Sequence, residues 1–237
     1  MESMDKKAQE ILTAINRYAF PTPVEGGHGT WLRQSGEIRL GPARWVPFRA
    51  EQRLDAVKLE FRWVARARMS SLVRATVTDA FEDGHGRFEV RVLGLPIQRA
   101  AGPDFDVSEL LRFLAELAWC PLAFNHSALS WTAIDERTLH VELLRTTVRA
   151  GLSLEVDELG RVRAVRAESR PRRVGKTTLS TPWGGQFGSY REYGGIRIPG
   201  SAEVFWELPE GEFTYFRGEI LAAGLLGAKG PHGSRAA

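Results

Sequence analysis

One helical segment set inside a long run of strand-like segments constrains this chain most. From Leu111 to Pro121 the sequence reads Leu-Arg-Phe-Leu-Ala-Glu-Leu-Ala-Trp-Cys-Pro. At about 100° per residue from Leu110, the residues Leu111, Phe113, Leu114, Leu117 and Ala118 form one broad apolar stripe, while Trp119 falls opposite, beside Arg112 and Glu116. A helix with apolar groups on two sides has two surfaces to cover. One is a sheet; the other is a second layer, a partner or a ligand.

The segments around it alternate as strands do. Leu59, Phe61, Trp63, Ala65 and Ala67 face one way, with Lys58, Glu60, Arg62, Arg66 and Arg68 facing the other, so one face is buried and one is wet. In the next run Val73, Ala75, Val77, Asp79 and Phe81 share a parity, which puts a carboxylate in an apolar row. Asp83-Gly84-His85-Gly86 is a hairpin turn, and Phe88, Val90 and Val92 continue the pattern. The central helix is expected over 107–120, capped by Asp106 or Ser108 and stopped by Pro121. After it, further strands are expected up to Leu221, interrupted by a Gly-, Thr- and Pro-rich loop from Gly175 to Gly188 that contains Trp183. Met4, Ala8, Ile11, Leu12, Ile15 and Tyr18 recur at helical spacing before Pro21 and Pro23. The expected organisation is one domain: a helix over 1–22 belonging to it, a β-sheet over 23–225, and a flexible tail over 226–237. Strands in sequence order with short turns favour one antiparallel sheet, and so many strands must curl.

Composition fits this picture. With 43% hydrophobic and 26% charged residues among 237, the chain has enough apolar mass for a sizeable core. The net charge is only +3. The basic cluster Arg161, Arg163, Arg166, Arg170, Arg172, Arg173 and Lys176 lacks interleaved aromatics, so nucleic acid is not the expected partner. Cys120 is the single cysteine and its apolar surroundings make it an inert, buried thiol. The first residues lack the apolar run of a signal peptide, and no segment reaches the roughly 18 apolar residues of a membrane span. A cytoplasmic protein without stable membrane insertion is expected.

Several blocks carry a family resemblance: Trp45-Val-Pro-Phe48-Arg-Ala50-Glu-Gln52, Phe61-Arg-Trp63-Val-Ala65-Arg, Asp79-Ala-Phe81-Glu-Asp-Gly84-His-Gly86, Arg112-Phe-Leu-Ala-Glu116-Leu-Ala-Trp119-Cys-Pro121 and Trp131-Thr-Ala-Ile134-Asp135. With Trp183-Gly, Tyr190 and Ile198-Pro199-Gly followed by Glu203 and Trp206, they extend from about Trp31 to Leu221. The chain resembles an uncharacterised bacterial family catalogued as a domain of unknown function. More loosely, it resembles the lipoprotein-carrier fold of LolA and LolB. That resemblance implies a mainly β (α+β) fold, a large antiparallel sheet curled into an open half-barrel, with the N-terminal and central helices covering an apolar concave side. A carrier of that type works in the cell envelope, so its transport role is not carried over to a chain read as lacking an export signal.

Catalytic motifs are scarce. Gly175-Lys176-Thr177-Thr178 resembles the end of a phosphate loop, but Arg170 stands where its first glycine belongs. His28, His85, His126, His140 and His232 lack metal-ligand spacing, so neither a metal nor a cofactor is expected. Two carboxylates stand out. Glu116 either pairs with Arg112 at i, i+4 on a wet face or points into the concavity, where burial would fit it for proton transfer. Asp79 either bonds to turn amides or serves as a second acid–base group. The aromatic residues Trp63, Trp119, Trp131, Trp183, Tyr190, Tyr193, Trp206 and Tyr215 are candidates to line a pocket. Arg217 shares strand parity with Tyr215 and Phe213, which would place one cation among rings. Two functions are compatible with these residues: a binding protein for an apolar or amphiphilic small molecule, lipid-like or aromatic, or a cofactor-independent cyclase, isomerase or hydrolase. A structural or protein-interaction role is the third.

Overall fold

The structure is a computed structural model that describes residues 2–39, 44–145 and 147–228. Helix α1 (Glu2–Ala19) is followed by six strands: β1 (Gly29–Arg39), β2 (Trp45–Asp55), β3 (Glu60–Arg68), β4 (Arg74–Glu82), β5 (His85–Val92) and β6 (Leu95–Ala100). Helix α2 (Pro103–Ala115) then runs into two 3-10 turns, Glu116–Trp119 and Pro121–Asn125. Nine strands follow: β7 (Leu129–Ala133), β8 (Thr138–Arg145), β9 (Val148–Val156), β10 (Val162–Val174), β11 (Thr177–Gly188), β12 (Arg191–Tyr193), β13 (Ile196–Ile198), β14 (Ser201–Leu208) and β15 (Gly211–Leu226).

Thirteen strands form one antiparallel sheet in the order β6-β5-β4-β3-β2-β1-β15-β14-β11-β10-β9-β8-β7. β12 and β13 make a separate small hairpin. The sheet curls into the expected open half-barrel. β6 and β7 are its opposite edges, yet they are consecutive strands in the chain. Their connection therefore has to cross a whole face of the sheet, and α2 with its two 3-10 turns is that connection. It packs against β4 and β5 on one wall and β9 and β10 on the other. A helix touching two walls is buried over most of its surface, as Leu110, Leu111, Phe113, Leu114 and Ala115 are; Trp119, read from sequence as the opposite side of the helix, belongs instead to the first 3-10 turn.

Alternation sets the core. β2 buries Val46, Phe48, Ala50, Gln52 and Leu54 and exposes the residues between them, apart from half-buried ends. Cross-strand register then builds rows on the concave face: Leu54, Phe61 and Phe81 in one, Gln52, Trp63 and Asp79 in the next. Leu110, Leu111, Phe113, Leu114 and Leu117 of the connector are buried against these rows. α1 lies on β7, the second 3-10 turn and β13 through Ala8, Ile11, Leu12 and Ile15. Gly160 lets the β9–β10 turn approach it: φ is +86°, and a Cβ there would stand 2.3 Å from the Ala14 carbonyl oxygen.

Two expectations need correction. The segment 175–188 is mostly strand β11, paired with β10 and β14. Its apparent breakers have local duties. Pro182 sits where the β10–β11 register shifts, a place where a missing N–H is tolerated, and a Cβ on Gly184 would meet the Val165 oxygen at 2.9 Å and the Phe205 ring at 3.0 Å. Helix α2 starts at Pro103 behind Gly102, with no side-chain cap, because Asp106 and Ser108 bond elsewhere. It ends at Ala115, and the rest of the expected span is 3-10. β15 continues to Leu226, and most of the expected tail, residues 229–237, lies outside the described residues.

Because Leu114 is fully buried between α2 and the sheet, Leu114→Ala is expected to cost about 2–5 kcal/mol, read from urea unfolding curves.

Candidate functional site

The row Gln52, Trp63 and Asp79 is the polar layer of the concave face, and α2 lays its own charges over it. Trp63 Nε1 donates to Gln34 Oε1 at 2.8 Å, Gln34 Nε2 donates to Gln52 Oε1 at 3.0 Å, and Gln52 Nε2 donates to Glu116 Oε2. Arg112 Nε donates to Glu116 Oε1 at 2.9 Å, and its Nη1 donates to Asp79 Oδ2. The same guanidinium lies 4.6 Å from the Phe61 ring centre and 5.3 Å from that of Trp63. One arginine thus joins the two carboxylates singled out in the sequence. Both oxygens of Glu116 are occupied by protein donors. Burial raises its pKa above the usual carboxylate range, against the pull of Arg112 and Gln52.

A second pair lies one turn earlier on α2. Arg170 of β10 donates through Nε to Ser108 Oγ at 2.9 Å and through Nη2 to Glu109 Oε1 at 3.3 Å. Its guanidinium stacks 4.2 Å from the Trp183 ring centre and 5.7 Å from that of Trp206, and Arg172 lies 5.7 Å from Trp206. Trp183 Nε1 donates to Tyr215 Oη at 3.0 Å, and Trp206 stacks on Tyr215 at 5.9 Å. Trp183, Trp206 and Tyr215 therefore form one aromatic wall with cations over it.

The remaining sequence candidates are elsewhere. Trp119 is buried, donating to the Pro199 carbonyl at 3.0 Å and meeting Phe187 edge-on. Trp131 stacks on Phe124 near α1. Tyr190 and Tyr193 donate their hydroxyls to the carbonyls of Val162, at 2.7 Å, and Ile220, at 3.1 Å. Arg217 does not stand among the rings of Tyr215 and Phe213. The β14–β15 register shifts between Val204 and Phe205, opposite Tyr215, so the parity changes and Arg217 pairs with Glu203 over Trp45 on the outer face. Cys120 is buried with its thiol pKa pushed up to about 12 by desolvation.

The concavity is only partly filled. α2 and its 3-10 extension cover the rows of Phe61 and Trp63, but further along the same face Ile38, Val77, Val204, Trp206, Tyr215 and Phe216 remain half-buried. Register keeps them together: Ile38 faces Phe216, which faces Val204, and Phe216 stacks on Phe48 at 5.4 Å. The concave face thus offers a strip of apolar side chains in a row through Ile38, Phe216 and Val204, with Trp206 stacked on Tyr215. A shallow cleft beneath α1, lined by Ile15, Tyr18, Phe124, Tyr190 and Arg197, is separate from it. Among the described residues, no group of three His, Cys, Asp or Glu side chains is placed to hold a metal ion, and no helix is long and apolar enough to cross a membrane.

Gln34, Gln52, Glu109, Ser108 and Arg170 were not singled out as site residues from sequence. Gln34 and Gln52 carried the signal that exposed Asp79, a polar residue on an apolar parity. Arg170 was hidden in a basic run whose other members face solvent more.

A family model described as a family of unknown function, DUF6544, matches residues 23–218. Among solved structures, a LolA superfamily protein from Nitrosomonas europaea superposes with a TM-score of 0.50 at 11% identity, covering 94% of each chain. A beta-barrel-like protein of domain of unknown function DUF1849 from Brucella abortus is also similar, at 10% identity over 86% of this chain and 100% of that one, with a TM-score of 0.27. No curated protein matches the sequence. At these identities the first likeness shows a shared fold, the half-barrel with helices on its concave side.

Arg112 is the sole bridge between two buried carboxylates, so Arg112→Met is expected to destabilise the protein by about 3–5 kcal/mol in urea unfolding, while Arg217→Met on the outer face changes little.

Proposed function

We propose that this chain, which belongs to the DUF6544 family of unknown function, is a binding protein that holds the apolar part of an amphiphilic small molecule against the concave face of its half-barrel. The observation that carries this reading is the half-buried set of Ile38, Val77, Val204, Trp206, Tyr215 and Phe216 on the sheet. Covering large apolar side chains is worth about 25 cal/mol per Å², so a chain-like or flat apolar group gains by lying there. The guanidinium of Arg172, set over Trp206 at the margin, supplies positive charge for a polar or anionic head. The Nε of Arg172 is buried without a hydrogen-bond partner, which leaves donor capacity for that head. The fold shared with the LolA superfamily protein supports the same class of ligand by analogy. The setting we propose is the cytoplasm.

Carrier function fits the carboxylates better than catalysis does. Glu116 has both oxygens engaged, and Asp79 has one held by Arg112 and the other buried, so neither stands open to a substrate on the strip.

A fluorescent fatty acid is expected to bind with one site per chain, and Phe216→Asp or Val204→Asp should weaken it at least about tenfold, because each places a charge on the apolar strip. Ile134→Asp, an exposed position at the far edge of the sheet, should leave affinity unchanged. Equal binding by all three variants would remove the strip from the account.

A further inference from the structure

Beneath α2 three carboxylates, Asp79, Glu109 and Glu116, meet two guanidiniums, Arg112 and Arg170. Fully ionised, that group holds one negative charge more than it has cations to match, in a largely buried site. Two of its oxygens have no donor: Asp79 Oδ1 and Glu109 Oε2, each on a residue more than nine-tenths buried. The opposite oxygen of each carboxyl is already engaged, Asp79 Oδ2 by Arg112 and Glu109 Oε1 by Arg170. Arg112, which holds Asp79, stands three residues after Glu109 on α2, so the two carboxyls are brought to the same face of the helix. An ionised carboxylate only accepts, so two of them cannot satisfy each other; a protonated one donates.

We infer that Asp79 and Glu109 bind a single proton between them, as a carboxyl–carboxylate hydrogen bond, and that this proton latches α2 into the concavity. The excess of carboxylates over guanidiniums and the two orphan oxygens on one face of α2 are both met by the same proton. Other elements packed on α2 do not supply a substitute. β9 presents the buried apolar residues Val148, Ala150, Leu152 and Leu154; β5 brings His85, whose ring lies 3.3 Å from Asp106 Oδ2. Asp106 Oδ1 is taken by the Gly86 N–H at 2.7 Å, and the following 3-10 turn adds Glu116, already doubly bonded.

The direction of the pH effect follows. Desolvation first, and the charge of Asp79 second, push the Glu109 pKa up to about 8, although Arg170 and Arg112 oppose the rise. A released or unfolded Glu109 returns to the ordinary carboxylate range near 4.5. The seated state therefore binds more protons between those values, so the latch is at full strength below about pH 4.5, weakens as pH rises and is lost on passing about pH 8. Because α2 bounds the apolar strip, the latch regulates access to the proposed binding surface, and that consequence rests on the binding reading; the proton does not.

Infrared titration of the whole protein tests the proton, and amide hydrogen exchange tests the latch, both in a His85→Gln background that removes the neighbouring imidazole. A protonated carboxylic acid band is expected at neutral pH, disappearing as pH passes about 8 and absent in Glu109→Gln. Protection of the α2 amides of Leu110 and Leu111, taken relative to β2, should fall by up to about tenfold per pH unit as pH rises towards that value, more steeply than in Glu109→Gln. No acid band at neutral pH overturns the inference, as does a band that survives Glu109→Gln. Should that variant fail to fold, the titration of the His85→Gln protein still decides. Neither readout uses a ligand, so failure of the latch and failure of the binding reading are separately visible.

Discussion

The connection from β6 to β7 is the constraint on which the rest depends. These strands are neighbours in sequence and opposite edges of a thirteen-stranded sheet, so the chain between them must cross the concave face. Once α2 lies there it has two walls to satisfy and no water to solvate its polar groups. Its leucines and Phe113 fill the rows of Leu54, Phe61 and Phe81, and its charges must find partners on the sheet. Arg112, Glu116, Glu109 and Ser108 do so with Asp79, Gln52 and Arg170, which belong to three strands far apart in sequence. Buried ion pairs of this kind add little net stability over an apolar core, but they fix position, since a shifted helix leaves charges unpaired. The network therefore sets where α2 sits and how much of the concave face it leaves uncovered.

That division gives the molecule its candidate function. One end of the half-barrel is closed by the protein's own helix, and the other keeps a strip of large apolar side chains half-buried, bordered by rings that carry arginines. In the proposed binding reading, the helix-covered part supports the wall while the half-buried side chains grip the apolar part of a ligand. The proton on the Asp79–Glu109 pair would couple the seating of α2 to pH without any change in fold.

Much of the fold was legible because period-two alternation is strong in β2 and β3, and because the buried helix between strands could be read from Leu111, Phe113 and Leu114. β11 was not, since Pro182 and the Gly184–Gly185 pair imitate a loop; only the partner strand shows that one marks a register shift and the other makes room for a ring. The site was half legible. Asp79 and Glu116 stood out singly, but their meeting through Arg112 depends on a sheet position and a helix turn that no local pattern relates. Arg217 failed for a similar reason: parity counted along β15 breaks at a bulge that exists only in the pairing with β14. Five of the aromatic candidates are held by hydrogen bonds from their own polar tips to protein acceptors, so aromatic abundance reflected core construction as much as any pocket.

The most direct measurement is methyl-resolved NMR of the isotope-labelled protein titrated with a short-chain fatty acid. Saturable shifts confined to Ile38, Val77 and Val204, with the methyl groups of Ile134 and Leu159 unmoved, are the predicted result. Shifts centred on the α1 cleft or the outer face, or none at all, would contradict the claim that the uncovered end of the concave face is where this protein binds.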